Sequence, residues 1–295
     1  MNWPKITIVT PSFNQGSYLE QTILSVLGQN YPNLEYFIMD GGSTDNSVDI
    51  IKKYEKQLAG WVSEKDKGVY DAVQKGFARS NGELMAWINS DDMYHPKSLF
   101  TVAELFETLK DVRWIQGMPT SYDESGRTIA SGPLRLWSKY NFYTGDFEFI
   151  QQESVFWRRS LWEAAGSTFN TRLKYAADME LWTRFFRHDK LYVTNALIGG
   201  FRFRQSNQLS SDNYPAYMSE AKTCLEKEEL DGETRKRIAE IQNTKKLLGR
   251  TRYFQIGRLK LKYYNLFEYP PRIMFSRASQ KFEKKDWVDF NLIKL

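Results

Sequence analysis

Two hydrophobic periods alternate along the first ninety residues. From Lys5 to Phe13 apolar and β-branched residues run almost without a break, as expected of a strand buried on both faces. From Ser17 onward, Leu19, Ile23, Val26 and Leu27 recur at helical spacing, and the order Ser17-Tyr18-Leu19-Glu20 predicts a capping box at the helix start. The unit then repeats. A strand from Asn33 to Asp40 precedes a helix from Asp45 to Tyr54, a short strand from Gly60 to Ser63 precedes a helix from Val69 to Ala78, and Leu84 to Asn89 reads as a fourth strand. Such alternation predicts an α/β fold with a doubly wound, mostly parallel sheet flanked by helices.

The pattern loosens after Pro96. A helix is predicted to about Leu109 and a strand from Val112 to Gln116, whereas residues 117 to 150 are turn-rich and aromatic without a clear period. Ser154 to Trp157 reads as strand, Ser160 to Ala165 and Asp178 to Arg187 as helix, and Leu191 to Phe203 again as strand. Beyond about Tyr214 the chain turns helical and basic, with breaks at Gly249, Gly257 and Pro270-Pro271. A boundary near residue 212 would divide a body, residues 1–212, from an extension, residues 213–295.

Charge follows this division. Residues 231–295 hold sixteen Lys or Arg against seven Asp or Glu, a net +9, which leaves −4 for residues 1–230 out of the whole-chain +5. A basic nucleic-acid-binding protein would carry its charge on the body, so no nucleic-acid partner is expected. Arg250 to Phe267 interleaves basic and aromatic residues, which suits either an anionic membrane surface or helices packed back on the body. Cys224 is the single cysteine, and His95 and His188 are the only histidines. A disulfide framework, a thiolate cluster and a multi-histidine metal site are thereby excluded. No run of eighteen apolar residues and no charged-then-apolar leader is present, so the expected location is cytoplasmic, soluble or peripheral at the inner face of the membrane.

Polar clusters sit where this topology would end its strands: Thr10 to Gly16, Asp40 to Asp45, Glu64 to Gly68 and Asn89 to Asp92. Any one of them could be an ordinary turn. Four along one sheet edge point to a single crevice for a nucleotide-type ligand. The common phosphate-cradling glycine loops are absent, which leaves phosphate handling to a divalent cation, Mn²⁺ or Mg²⁺. Asp91 would be its protein ligand.

The motifs from Pro11 to Tyr36, from Asp40 to Asp45, from Ser63 to Ala72 and from Ile88 to Asp92 together resemble the family 2 glycosyltransferases of the GT-A fold, in particular the bacterial branch that builds surface polysaccharides. The resemblance covers about residues 4 to 210, and makes residues 1–212 the nucleotide-sugar-binding part. It implies that Thr10, Pro11 and Phe13 border the nucleoside, that Asp40 or Asp66 reads the uracil edge, and that Ser90 and Asp91 fall in the metal motif. It further implies that Asp178 is the general base, that Gln152 and Trp157 line the acceptor side, and that Arg204 stands where the family often has histidine and can meet the diphosphate. The function implied is inverting transfer from a nucleoside-diphosphate sugar, UDP being expected, to a glycan or lipid-linked acceptor. A sugar-nucleotide nucleotidyltransferase would want a basic first loop, which Thr10 to Gly16 lacks.

Overall fold

The computed structural model describes residues 3–205, 208, 212–248 and 262–286. The alternation in the sequence becomes β1 (Ile6–Ser12), α1 (Leu19–Leu27), β2 (Leu34–Asp40), α2 (Ser47–Tyr54), β3 (Gly60–Ser63), α3 (Val69–Ala78) and β4 (Leu84–Trp87). Strands β4, β1, β2 and β3 lie side by side in that order, all parallel. Both faces are covered because the side chains divide by the two-residue period of a strand. Ile6, Ile8, Leu84 and Ala86 pack towards α1 and the helix α4 (Ser98–Thr108). Val9, Met85 and Trp87 pack towards α3 and the helix α7 (Ala177–His188).

Past β4 the sheet becomes mixed. The two-residue strand β5 (Met93–Tyr94) leads to α4 and then to β6 (Trp114–Tyr122), β7 (Thr128–Ser131), the short helix α5 (Lys139–Tyr143), β8 (Val155–Arg158), α6 (Arg159–Ala164), α7 and β9 (Tyr192–Arg202). Strand β8 is inserted antiparallel between β4 and β6, and β6 runs parallel to β9. Along the main path the parallel neighbours outnumber the antiparallel ones, as the sequence predicts.

Two local expectations fail for identifiable reasons. The capping box does not form: α1 begins one residue late, at Leu19, without a side-chain cap. Glu20 is drawn instead to α2, where Tyr54 Oη and Lys53 Nζ donate to its carboxylate. Residues 272–285 of the extension are not helical either. Strands β10 (Arg272–Ser276) and β11 (Lys281–Lys285) form a hairpin that pairs with β9 through Ile273 and Thr194. An open sheet edge offers backbone partners to any strand-capable segment, and the hairpin's inward side chains, Ile273 and Phe282, join the core.

Ile273 is fully buried. Ile273→Ala in the full chain should lower stability by about 2–5 kcal/mol, the usual loss for a large buried aliphatic. Thermal unfolding would check it, and a loss below about 0.5 kcal/mol, typical of surface changes, would show that the hairpin lies outside the cooperative core.

Candidate active site

Strand register brings the polar clusters together. Ser12 of β1, Asp40 of β2 and Ser63 of β3 are direct neighbours at the carboxyl ends of their strands. Backbone and side-chain bonds then stitch the turns into one rim. Asn14 N donates to Ser43 Oγ at 2.8 Å, Thr44 N to Asn14 Oδ1 at 2.9 Å, and Gly16 N to Asp45 Oδ2 at 2.9 Å. Asp40 is buried and accepts from Gly42 N, Ser43 N, Ser43 Oγ and Ser63 Oγ. Its carboxylate is committed to shaping the glycine turn. Asp66 accepts from Gly68 N at 2.8 Å. Its Oδ2 lies 2.8 Å from where a Cβ on Gly41 would sit, so glycine there lets this second carboxylate approach the end of β2. Burial raises the Asp66 pKa above the usual carboxylate value.

The adjacent acids after β4 point to different environments. Asp91 forms an ion pair with Arg204, Oδ2 to Nε 3.0 Å, and Arg204 Nη1 also donates to Gln15 Oε1 at 3.2 Å. Asp92 is buried and accepts from the backbone N–H of Arg202 at 2.8 Å and from Asn89 Nδ2 at 3.2 Å. Arg202 is itself fully buried; its guanidinium donates to the carbonyls of Asp91 and Glu124 and to Gln21 Oε1. Burial raises the pKa of Asp91 despite the charge of Arg204, and raises that of Asp92 further, with the Glu153 carboxylate adding to the effect. Glu153 is pushed up to about 7, mainly by burial. Among the described residues no group of three or more His, Cys, Asp and Glu side chains gathers here to hold a metal. A cation at Asp91 would therefore take its remaining oxygens from diphosphate and water, an arrangement that Mg²⁺ and its relatives commonly adopt.

Asp178 stands in the first turn of α7, part-buried. Its Oδ1 accepts from Met179 N at 2.7 Å and from Tyr70 Oη at 3.2 Å. Burial pushes its pKa up to about 6, against the opposing effect of these donors. The loop ahead of it is held from outside. Ala176, at the N-cap, has no capping side chain, and Glu220, on the helix Tyr214–Glu226, accepts from the backbone N–H groups of Lys174, Tyr175 and Ala176 at 2.8–3.0 Å. The charges of both Asp91 and Asp178 help to raise the pKa of the buried Glu153, so both carboxylates lie near it. A carboxylate that is mostly ionised at neutral pH can take a proton, and a guanidinium can meet an anion.

Several of the residues singled out in the sequence are buried. Thr10 and Pro11 are buried within β1, where Thr10 Oγ1 bonds Tyr36 Oη at 3.0 Å, and only Phe13 beyond them is exposed. Trp157 is fully buried, packed edge-to-face against Trp87, Trp182 and Phe77, so it belongs to the core and not to an acceptor surface. Its position on a central strand between β4 and β6 leaves it no route to solvent. Gln152 is largely buried, with Nε2 donating to the Trp87 carbonyl at 2.6 Å; it braces the end of β4. Ser90 is also buried. Arg202, Glu153, Tyr70 and Glu220 were not singled out. Arg202 ends β9 two residues before Arg204, but nothing local says which of the two is buried.

The sheet order and its acidic, arginine-backed rim define a protein of the GT-A fold. Glycosyl transferase family 2 matches residues 7–163, and the chain belongs to that family. It is 35% identical over 128 residues to an uncharacterised glycosyltransferase of Nostoc sp., covering 42% of this chain and 39% of that protein. It is 36% identical over 102 residues to TuaG of Bacillus subtilis, described as a candidate teichuronic acid biosynthesis glycosyltransferase, covering 33% of this chain and 40% of that one. The matched stretch is thus about two fifths of each relative's length. The crystal structure of S. aureus TarS 1-349 in complex with UDP-GlcNAc superposes with a TM-score of 0.64 over 89% of this chain and 79% of that one; at 16% identity this shows the fold.

The raised pKa of Asp178 has a cost that can be measured. Its folded value of about 6 exceeds the ordinary 3.8, so the folded state holds its proton more tightly than the unfolded state, and stability is lost as pH rises through 6. Asp178→Asn should therefore stabilise the protein by about 1–3 kcal/mol above pH 7, and the gain should vanish below about pH 4. Chemical denaturation at both pH values would check it; equal effects at the two would show the carboxylate to be solvated.

Proposed function

We propose that this protein is an inverting glycosyltransferase that moves a sugar from a nucleoside-diphosphate sugar, UDP-linked in our reading, to a glycan or lipid-linked acceptor in surface-polysaccharide synthesis. One observation carries this reading: a part-buried carboxylate, Asp178, with a pKa near 6 lies near the same buried Glu153 as Asp91, which is paired with Arg204. Family membership supports it, as do the UDP-GlcNAc held by the S. aureus neighbour and the teichuronic acid route to which TuaG is linked.

In this mechanism Asp178 accepts the proton of an acceptor hydroxyl as its oxygen bonds to the anomeric carbon. The bond from that carbon to the diphosphate oxygen breaks on the opposite face, and its electron pair leaves with the nucleotide. Inversion follows from this single displacement. Asp178 needs no exceptional basicity, because the hydroxyl becomes acidic only as the new bond forms. Arg204 contributes fixed positive charge at the leaving-group end. Asp91 would hold a divalent cation, Mn²⁺ or Mg²⁺, which supplies further charge neutralisation when bound. Phe13, exposed beyond β1, offers a face to the base, and Asp66 is the better placed of the two acids to read the base edge, since Asp40 is committed to its turn.

Location is part of the same proposal. Among the described residues no helix is long and apolar enough to cross a membrane. The basic-aromatic stretch that suggested an anionic surface at the inner face of the membrane falls largely on residues 249–261, which lie outside the described residues. What the extension does show is packing. Ile241, Leu266 and Phe267 form a small core with Tyr140 of α5.

Asp178→Asn should cut transfer roughly 10²- to 10⁴-fold, the usual contribution of a positioned base, while UDP affinity measured by calorimetry stays near normal. The wild-type rate should fall as pH drops below about 6, where the carboxylate is protonated. Asp91→Asn should show the converse, loss of Mn²⁺-supported UDP binding with the fold intact. Near-normal transfer by Asp178→Asn would dismiss it as the base.

A further inference from the structure

Most of the aromatic side chains are interior, yet Phe149 and Tyr214 are 50% and 38% exposed and lie together. The ring centroids of Phe149 and Tyr214 are 6.0 Å apart, and those of Phe149 and Tyr217 are 5.4 Å apart, both edge-to-face. Tyr214 Oη donates to Glu148 Oε1 at 2.7 Å, so a hydroxyl and a carboxylate flank the exposed ring. Tyr217 and Glu220 are three residues apart on one helix and share a face. Since Glu220 binds the backbone immediately ahead of Asp178, the cluster is anchored beside the proposed base. Its other end is anchored too: Phe149 is three residues before Gln152, whose amide donates to the Trp87 carbonyl at the end of β4. Asp178 also raises the pKa of the Tyr217 phenol, after burial, as its proximity requires.

We propose that Phe149 and Tyr214, backed by the partly buried Tyr217, form a platform on which a pyranose ring of the acceptor glycan stacks, next to the hydroxyl presented to Asp178. This rests on the transferase reading and deepens it. A pyranose has an apolar C–H face and a rim of hydroxyls. An aromatic face carries negative charge density that attracts C–H groups, and Glu148 with the Tyr214 hydroxyl can take the rim. A lipid tail would gain nothing from that carboxylate. The donor diphosphate is assigned to the Asp91–Arg204 end, so the surface outward from the base belongs to the acceptor.

The test is saturation-transfer NMR with octyl β-D-glucoside and octyl N-acetyl-β-D-glucosaminide below micelle formation, on the full chain. Wild type should pass saturation to the ring protons of at least one glycoside. Phe149→Ala and Tyr214→Ala should each weaken that binding about fivefold to tenfold, with circular dichroism unchanged. Phe275→Ala, an exposed aromatic on the distant hairpin, should leave it unaltered. Ring-proton saturation that survives both platform variants, that reaches only the octyl chain, or that is missing in wild type would overturn the proposal. A UDP titration of the same samples separates the two readings: wild type that does not bind UDP counts against the transferase, whereas the ring-proton signal bears on the platform alone.

Discussion

A buried guanidinium holds the end of β4 in its working shape. Arg202 is removed from water, which costs several kcal/mol for an unpaired ion, and it is compensated by the carbonyls of Asp91 and Glu124, by Gln21 and by the nearby acids. These contacts join β9, α1, the turn after β6 and the segment after β4 at one point. Asp92 completes the joint by accepting from the Arg202 backbone. With Asp92 turned inward and the Asp91 main chain fixed, the Asp91 carboxylate has only the direction of Arg204 and the crevice left to it. The two adjacent acids therefore differ: Asp92 is held inward and Asp91 is paired with Arg204.

The segment beyond residue 212 reaches the start of α7. Helix α7 begins at an alanine that cannot cap it, and the missing acceptor is supplied by Glu220 from beyond residue 212. Three backbone donors on one carboxylate form a strong, charge-assisted arrangement, and it falls on the residues that aim Asp178. The extension's hairpin closes the edge at β9, and its inward residues continue the core beneath α4. A charge count alone would assign this segment to a surface, because charge reports the exposed side chains and says nothing of the few that dock.

Aromatic content has the same double meaning. Trp87, Trp114, Trp157 and Trp182 are buried with centroids of contacting pairs 5.7–5.8 Å apart, and they form the layer between the sheet and α7. That layer fixes the helix that carries Asp178. Phe149 and Tyr214, from the segment with no clear period and from the extension, face solvent instead.

Periodicity in the sequence determined the four parallel strands, their helices and the edge at which the polar turns gather, since each depends on neighbours within a few residues. The polar turns at the strand ends likewise singled out Asp91, and the family resemblance singled out Asp178. The sequence could not determine that Trp157 is interior, that Asp40 is consumed by its own turn while Asp66 is drawn against Gly41, or that Arg202 is buried and Arg204 paired with Asp91. Those outcomes rest on contacts between segments far apart in the chain: Arg202 with Gln21, Glu220 with Tyr175, and Ile273 with Thr194. Only the tertiary structure decided them, because the burial of a polar group is settled by the partner that arrives to satisfy it, and that partner leaves no mark on the local pattern.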